Sequence, residues 1–304
     1  MGTHTIRRVL QTPRAFSNWP SLLAAMAGQR LGRGRDVLRF ETRSGLVIDC
    51  PNRPGARVPV YEMFGEDCYR LRDFLGSLLY RPINVLDIGG HIGTFACRLA
   101  ELHPWATIRS FEPSVTTAFF YQRNVAQNGF EGRASVDNRA LAAHTGGYLV
   151  MEDNEAGSGE NRVQVEGQRP GGTTGTFTKV ECVSLDDAAR SLPGPVDVVK
   201  IDCEGSEYEL VYASSPVTWA SVQRVVVEYH PVHGQSWAEL HRFLVDLGFQ
   251  VAREEPRSDT LGSVWLSREP LPALARLRPV RRSGAAARPA GGGPRRRSVG
   301  TQPT

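Results

Sequence analysis

Three stretches of this sequence gather side chains that can do chemistry. One is Asp87-Ile88-Gly89-Gly90-His91-Ile92-Gly93, with Glu112 standing 25 residues after Asp87. Another is Asp202-Cys203-Glu204-Gly205-Ser206-Glu207, and the last is Glu228-Tyr229-His230. The first has the form of a turn whose glycines let backbone approach a ligand with no Cβ in the way. An acid placed like Glu112 accepts hydrogen bonds from both hydroxyls of a ribose. The other two stretches hold carboxylates and an imidazole, the groups that move protons or ligate hard cations.

A turn followed by a ribose acid fits two nucleoside cofactors, and the spacing separates them. A dinucleotide fingerprint reads G-x-G-x-x-G and makes room for a pyrophosphate. Here the glycines stand at 89, 90 and 93, and His91 occupies the middle slot. Asp87 would repel a pyrophosphate but suits the ammonium of a methionine moiety. The pattern favours S-adenosyl-L-methionine as cofactor, bound by Asp87, Gly89, Gly90, His91, Gly93 and Glu112. Asn138 and Ala140, near the end of the next strand, are expected to complete that set. An NAD-dependent oxidoreductase is the alternative reading. His91 has three open roles: stacking near the donor, reaching the acceptor, or filling space.

Methyl transfer is an in-line displacement at a sulfonium carbon, so the protein must align an acceptor and take its proton. Alignment supplies ~7–11 kcal/mol of barrier reduction, and a general base adds a factor of about 10²–10⁴. The catalytic candidates are His230, Asp202, Glu228 and Glu204. Glu228 and His230 are two apart on one strand and point the same way. His230 is the first candidate for base, because an unperturbed imidazole titrates near neutrality. Asp202, Glu204, Glu228 and His230 could equally hold Mg²⁺; the expectation is a metal-free base mechanism. Glu207, like Asp186 and Asp187 after Ser184, reads as helix N-terminal stabilisation.

These residues need elements to position them, and the hydrophobic pattern supplies a regular series. Asn84–Ile88, Thr107–Phe111, Ala134–Leu141, Val196–Ile201 and Arg224–Tyr229 read as strands, with helices over Gly93–Leu102, Val115–Asn128 and Ser236–Leu247 between or after them. Strands alternating with helices mean an α/β fold with a doubly wound parallel sheet, whose ligands bind at the carboxyl ends of the strands. Phe249–Ala252 and Ser263–Leu266 lack a helix between them and should pair antiparallel. Upstream, Val37–Cys50 reads as a hairpin turning at Ser44-Gly45, and Tyr69–Tyr80 has helical spacing; residues 1–35 show no period. Tyr148–Met151 and Lys179–Val183 look like hairpin strands. The Gly/Ser/Thr/Asn-rich stretch Asp153–Thr178 between them is a candidate lid, with Ser158 and Asn161 as contacts.

Bulk composition bounds the rest. The chain has 304 residues, 40% of them hydrophobic, and lacks an apolar run long enough to span a bilayer. No signal-peptide pattern opens it, so a cytoplasmic location is expected. Five cysteines without a CxxC pair argue against a disulfide framework or a structural zinc. The net charge is +4, but residues 271–304 carry eight arginines and no acid; without them the remainder is −4. The folded part is therefore mildly acidic, which disfavours nucleic acid as its partner. The arginine-rich tail itself lacks the apolar content to order.

Taken together, Val85-Leu86-Asp87-Ile88-Gly89, Phe111-Glu112-Pro113, Val183-Ser184-Leu185-Asp186-Asp187, Lys200-Ile201-Asp202-Cys203-Glu204-Gly205-Ser206-Glu207 and Val227-Glu228-Tyr229-His230 resemble the FkbM-type methyltransferases. Many relatives carry Gly-Ala-Asn-Ile-Gly where this chain has Gly89-Gly90-His91-Ile92-Gly93. The resemblance spans about residues 84–267. It implies a seven-stranded Rossmann-like sheet and O-methyl transfer to a sugar, glycolipid or secondary metabolite. A methyltransferase acting on another acceptor, nucleic acid included, is the further alternative. The expected organisation is an N-terminal extension over 1–80, a methyltransferase domain over 81–269 and a tail over 270–304.

Overall fold

The computed structural model describes residues 3–30, 35–53, 55–153, 163–164 and 176–275. In chain order its strands are β1 (Val37–Glu41), β2 (Val47–Pro51), β3 (Ile83–Ile88), β4 (Ala106–Phe111), β5 (Ala134–Asp137), β6 (Ala140–Ala142), β7 (Tyr148–Asp153), β8 (Val163–Gln164), β9 (Thr176–Ser184), β10 (Val198–Ile201), β11 (Arg224–Tyr229), β12 (Gln250–Ser258) and β13 (Leu261–Ser267). The central sheet has seven strands in the order β12-β13-β11-β10-β3-β4-β5. Strands β3, β4, β5, β10 and β11 run parallel, and β13 enters antiparallel beside β11 with β12 antiparallel at the edge. The expected Rossmann-like α/β sheet with its final antiparallel pair is the one observed.

The helices are α1 (Thr3–Ala15), α2 (Trp19–Arg30), α3 (Val58–Phe64), α4 (Leu71–Leu75), α5 (Thr94–Leu102), α6 (Val115–Gln127), α7 (Leu185–Arg190), α8 (Glu207–Tyr212), α9 (Pro216–Trp219), α10 (Trp237–Asp246) and α11 (Pro272–Ala275). Ser114, Ser184 and Ser236 cap α6, α7 and α10, each accepting a backbone N–H with its hydroxyl. The continuous apolar runs at β3 and β10 are buried because helices cover both faces of the sheet.

Four expectations change in the fold. Residues 1–35 contain two helices that the sequence pattern does not reveal. Phe16, at the end of α1, is fully buried against Phe40 and Tyr61, with ring centroids 4.9 and 5.7 Å away. That burial is tertiary, which is why no local period announces it. The helix expected over Tyr69–Tyr80 is α4 followed by a 3₁₀ turn at Gly76–Tyr80, broken at Gly76, whose φ is +54°. The strand expected over Ala134–Leu141 divides: β5 ends at Asp137, and β6 pairs with β9 in a second, four-stranded sheet, order β6-β9-β7-β8. Asn138 makes the corner by donating Nδ2 to the carbonyls of Glu112 and Pro113 at 2.7 and 3.0 Å. Finally, the packed chain runs past 269 through α11, where Leu274 is buried and its carbonyl accepts from Arg253. Ser158 and Asn161 of the candidate lid, and residues 276–304 of the tail, lie outside the described residues.

The N-terminal hairpin is bonded to the sheet domain by side chains that imitate a neighbouring strand. Asn124 of α6 accepts from the N–H of Asp49 at 2.8 Å and donates to its carbonyl at 2.9 Å. Gln127 and Asn128 serve Val47 in the same manner. The exposed edge of β2 is thereby satisfied without a strand. Asn124 also donates to the carbonyl of Ile92 at 2.8 Å, so the hairpin, α6 and the turn after β3 are one connected unit.

Candidate functional site

Two groups of side chains meet at the carboxyl ends of the central strands. On the donor side, the turn after β3 hangs from β4 by two bonds, Gly89 and Gly90 N–H to the carbonyl of Phe111 at 2.9 and 3.0 Å. The glycines are required by what lies behind the turn. A Cβ at Gly89 would stand 1.8 Å from the carbonyl oxygen of Asp202, and one at Gly90 or Gly93 would press on the Tyr121 ring at 3.2 or 3.0 Å. Gly89 and Gly93 also take φ near +78°, where a side chain is strained.

Asp87 lies beneath this turn and is fully buried. It accepts from Ser110 Oγ at 2.7 Å and faces Lys200 Nζ at 3.3 Å. Lys200 in turn donates to the carbonyls of Gly89 at 2.6 Å and Ile88 at 3.2 Å. Burial works against the charge on Lys200, but Asp87 and Asp202 outweigh it and raise its pKa. Spacing does not single out Lys200, but its rarity does. The chain has 36 basic residues and only two are lysines. A compact ammonium with rotatable donors fits a three-oxygen recess that a planar guanidinium does not.

Glu112 is also buried, and its two oxygens accept from the N–H of His91 at 2.8 Å and of Ser114 at 2.9 Å. Burial raises its pKa against those hydrogen bonds. Burial and the nearby Lys200 charge lower the His91 imidazole to about 4, so the ring is neutral. Asn138 joins this edge through the Glu112 carbonyl, whereas Ala140 is buried in the second sheet with Met151 and Val180.

On the acceptor side the fold brings together all four catalytic candidates. Asp202 and Glu204 follow β10, and Glu228 and His230 end β11. His230 Nε2 lies 3.6 Å from Glu204 and 3.9 Å from Glu228. One ligand atom each from Asp202, Glu228 and His230 fall within 4.8 Å of one another. Tyr69 and Glu207 complete the group. The Tyr69 hydroxyl donates to Asp202 at 3.0 Å, and its carbonyl is held by Trp265 Nε1 at 3.0 Å. Glu207 is fully buried, and one of its oxygens accepts from His230 Nδ1 at 2.7 Å, Gly205 N at 3.1 Å and Cys203 N at 3.2 Å. It stands in the first turn of α8 but spends its bonds on the turn before that helix and on the imidazole, a contact that only the fold shows.

The electrostatics follow from this crowding. Burial pushes the Glu204 carboxyl up to about 8, with Asp202 and Glu228 adding to it and His230 opposing. Burial and the Glu228 charge raise Asp202. Burial works against a charge on His230, but Glu207, Glu204 and Asp202 outweigh it and lift the ring to about 10. The ring is an imidazolium at neutral pH, so the near-neutral pKa that recommended it as a base does not hold in the fold. Among the described residues, the non-glycine positions with positive φ are Asp67, Arg70, His91 and Glu204. They flank Tyr69, sit in the donor turn, or belong to the acid cluster. Strain of this kind costs ~1–3 kcal/mol per residue, and here it gathers at the two groups of side chains described above.

Residues 87–251, more than half of the chain, match the Methyltransferase FkbM domain. The protein belongs to the FkbM methyltransferase family. It is therefore an S-adenosylmethionine-dependent methyltransferase. It is 26% identical to Methyltransferase 1 of Beauveria bassiana over 208 residues, 64% of this chain and 81% of that protein. It is also 26% identical to the 31-O-demethyl-FK506 methyltransferase FkbM of Streptomyces tacrolimicus over 238 residues, 70% of this chain and 88% of that one. Among solved structures, magnesium protoporphyrin IX methyltransferase from Synechocystis PCC 6803 with bound S-adenosylmethionine superposes with a TM-score of 0.42 at 14% identity, covering 71% of this chain and 82% of that one. The methyltransferase domain of METTL16 gives 0.46 at 15% identity and covers 75% of each chain. Among the described residues, no helix is long and apolar enough to cross a membrane.

Proposed function

We propose that this family member methylates a hydroxyl oxygen of a small acceptor, a sugar, glycolipid or secondary metabolite. The observation that carries the reading is the convergence of Asp202, Glu204, Glu228 and His230 beside the turn at Gly89. A hydroxyl must lose a proton when its oxygen is methylated, and this group offers a carboxylate, Asp202, to take it at the working edge of the sheet. One relative's name places its substrate's methyl group on an oxygen as well.

S-adenosylmethionine supplies an already activated methyl group on a sulfonium. The residues that would hold it are the backbone of Gly89–Gly93 and the carboxylate of Glu112, whose inward groups are already fixed by His91 and Ser114. Asp87 acts from beneath, fixing the turn through Lys200. On the acceptor side the hydroxyl's proton goes to the carboxylate of Asp202. His230, held at Nδ1 by Glu207, orients the carboxylates beside it.

The reading is tested by incubating the chain with S-adenosylmethionine and panels of sugar, glycolipid and polyketide alcohols, then locating the new methyl group by mass spectrometry and NMR. Methyl ethers are expected. A methyl found only on nitrogen, carbon or a carboxylate would overturn it.

A further inference from the structure

We infer that Asp202, Glu228 and His230 form a binding site for a hard divalent cation, Mg²⁺ or Mn²⁺. The set mixes two carboxylates with one imidazole, ligands that suit such ions. It joins the ends of two adjacent parallel strands, β10 and β11, so its spacing is set by the sheet rather than by flexible loops. The three ligand atoms lie within 4.8 Å of one another, close to the span across an ion's coordination sphere.

A second observation is independent of the acids. His230 is 7% exposed, and its Nε2 is aimed at Glu204 and Glu228 from 3.6 and 3.9 Å. Those separations are beyond a hydrogen bond. Its Nδ1 is held at 2.7 Å by Glu207, a carboxylate outside the ligand set and itself fully buried. A carboxylate on one nitrogen with the other turned to a group of oxygens is the outer arrangement that fixes and strengthens a metal-binding histidine.

A bound cation would add to what the carboxylates do on the acceptor side. It would hold the acceptor's oxygen and lower the pKa of its hydroxyl. That use rests on the hydroxyl-acceptor reading; the existence of the site does not.

The test uses the full chain treated with a chelator, dialysed and titrated with Mn²⁺, following free Mn²⁺ by electron paramagnetic resonance. Saturable binding of one Mn²⁺ per chain is expected, displaced by Mg²⁺. Asp202→Asn and Glu228→Gln should each weaken binding by about 10-fold or more, and Glu207→Gln by about 10- to 100-fold. Glu131→Gln, a change at an exposed acid away from the cluster, should leave it unchanged. In the unaltered chain, Mn²⁺ should broaden the ring resonances of His230 before those of the other histidines, a readout that needs no variant to fold. No saturable binding to the unaltered chain, or broadening that spares His230, overturns the site. Calorimetry with S-adenosylmethionine on the metal-free chain runs in parallel. If the cofactor fails to bind there while Mn²⁺ binds, the functional reading falls and the cation site stands.

Discussion

The donor side and the acceptor side of this site are built from similar residues and end in opposite electrostatic states. Beneath the donor turn one carboxylate, Asp87, meets one ammonium, Lys200, and Ser110 and two backbone carbonyls complete their bonding. Across the sheet, Asp202, Glu204, Glu207 and Glu228 surround a single imidazole, and two of these acids are held above their usual pKa. Arg257 reaches Glu228 from the edge strand, and Lys200 Nζ also stands 3.8 Å from Asp202. On the donor side the buried acid is internally neutralised and serves as rigid scaffold for the turn. On the acceptor side four acids crowd one imidazole, and burial and their mutual repulsion set which of them keep a proton.

The largest effect that would break this contrast is at the contact between the two sides. Gly89→Ala puts a Cβ into the Asp202 carbonyl at a φ of +78°. A loss of more than ~4 kcal/mol is expected, enough to unfold many domains. Urea denaturation measures it, and a near-native variant would mean the turn is not wedged as described. Next, Asp87→Asn strands a buried lysine and should cost ~3–5 kcal/mol. A cost within ~0.5 kcal/mol, typical of a surface change, would remove the claim that Asp87 is scaffold.

The same substitution on the other side should behave differently. Asp202→Asn keeps a partner in Tyr69 and is expected to change stability by less than ~1 kcal/mol. Its methyl transfer should fall by a factor of about 10²–10⁴, measured as kcat with a fixed acceptor. Equal stability losses at Asp87 and Asp202 would erase the distinction.

A pH scan of the metal-free chain sharpens it further. His230 is raised from 6.5 to about 10, so the stability it adds is whole below pH 6.5 and is lost as pH climbs through 10. Glu204, an acid raised from 4.5 to about 8, favours its protonated form in the fold, and that contribution is lost as pH rises through 8. Stability should therefore fall between pH 6.5 and 10, and Glu207→Gln should flatten the fall. Thermal melts across that range report the slope; a flat wild-type profile would contradict the cluster's assigned charges. The smallest effect is Ser110→Ala, expected to cost ~1 kcal/mol by removing one bond to Asp87, again read by urea denaturation.

Much of the scaffold could be read from residue order. The buried runs at β3, β10 and β11 are continuous because both faces are covered, and β13 had to return antiparallel because no helix separates it from β12. The two N-terminal helices escaped because Phe16 and Thr12 are buried by distant partners, Tyr61 among them, and no local repeat records that. Asn138 ended a strand through a carbonyl 26 residues earlier, another contact that sequence spacing does not encode.

The division is clearest in the two acids at strand ends, Asp87 and Asp202. Residue type and position alone fixed that both stand at the carboxyl ends of parallel strands, where an α/β sheet binds its ligands. Which of them is fully buried was decided by the register of β10 beside β3, which pairs Lys200 with Asp87. That pairing holds Asp87 fully buried 3.3 Å from the ammonium, while Asp202 stands 3.8 Å from the same ammonium, accepts from Tyr69 and stays partly exposed. Sequence order sets which groups a strand carries; the free energy of each charge depends on neighbours from other strands, and those exist only once the sheet has formed.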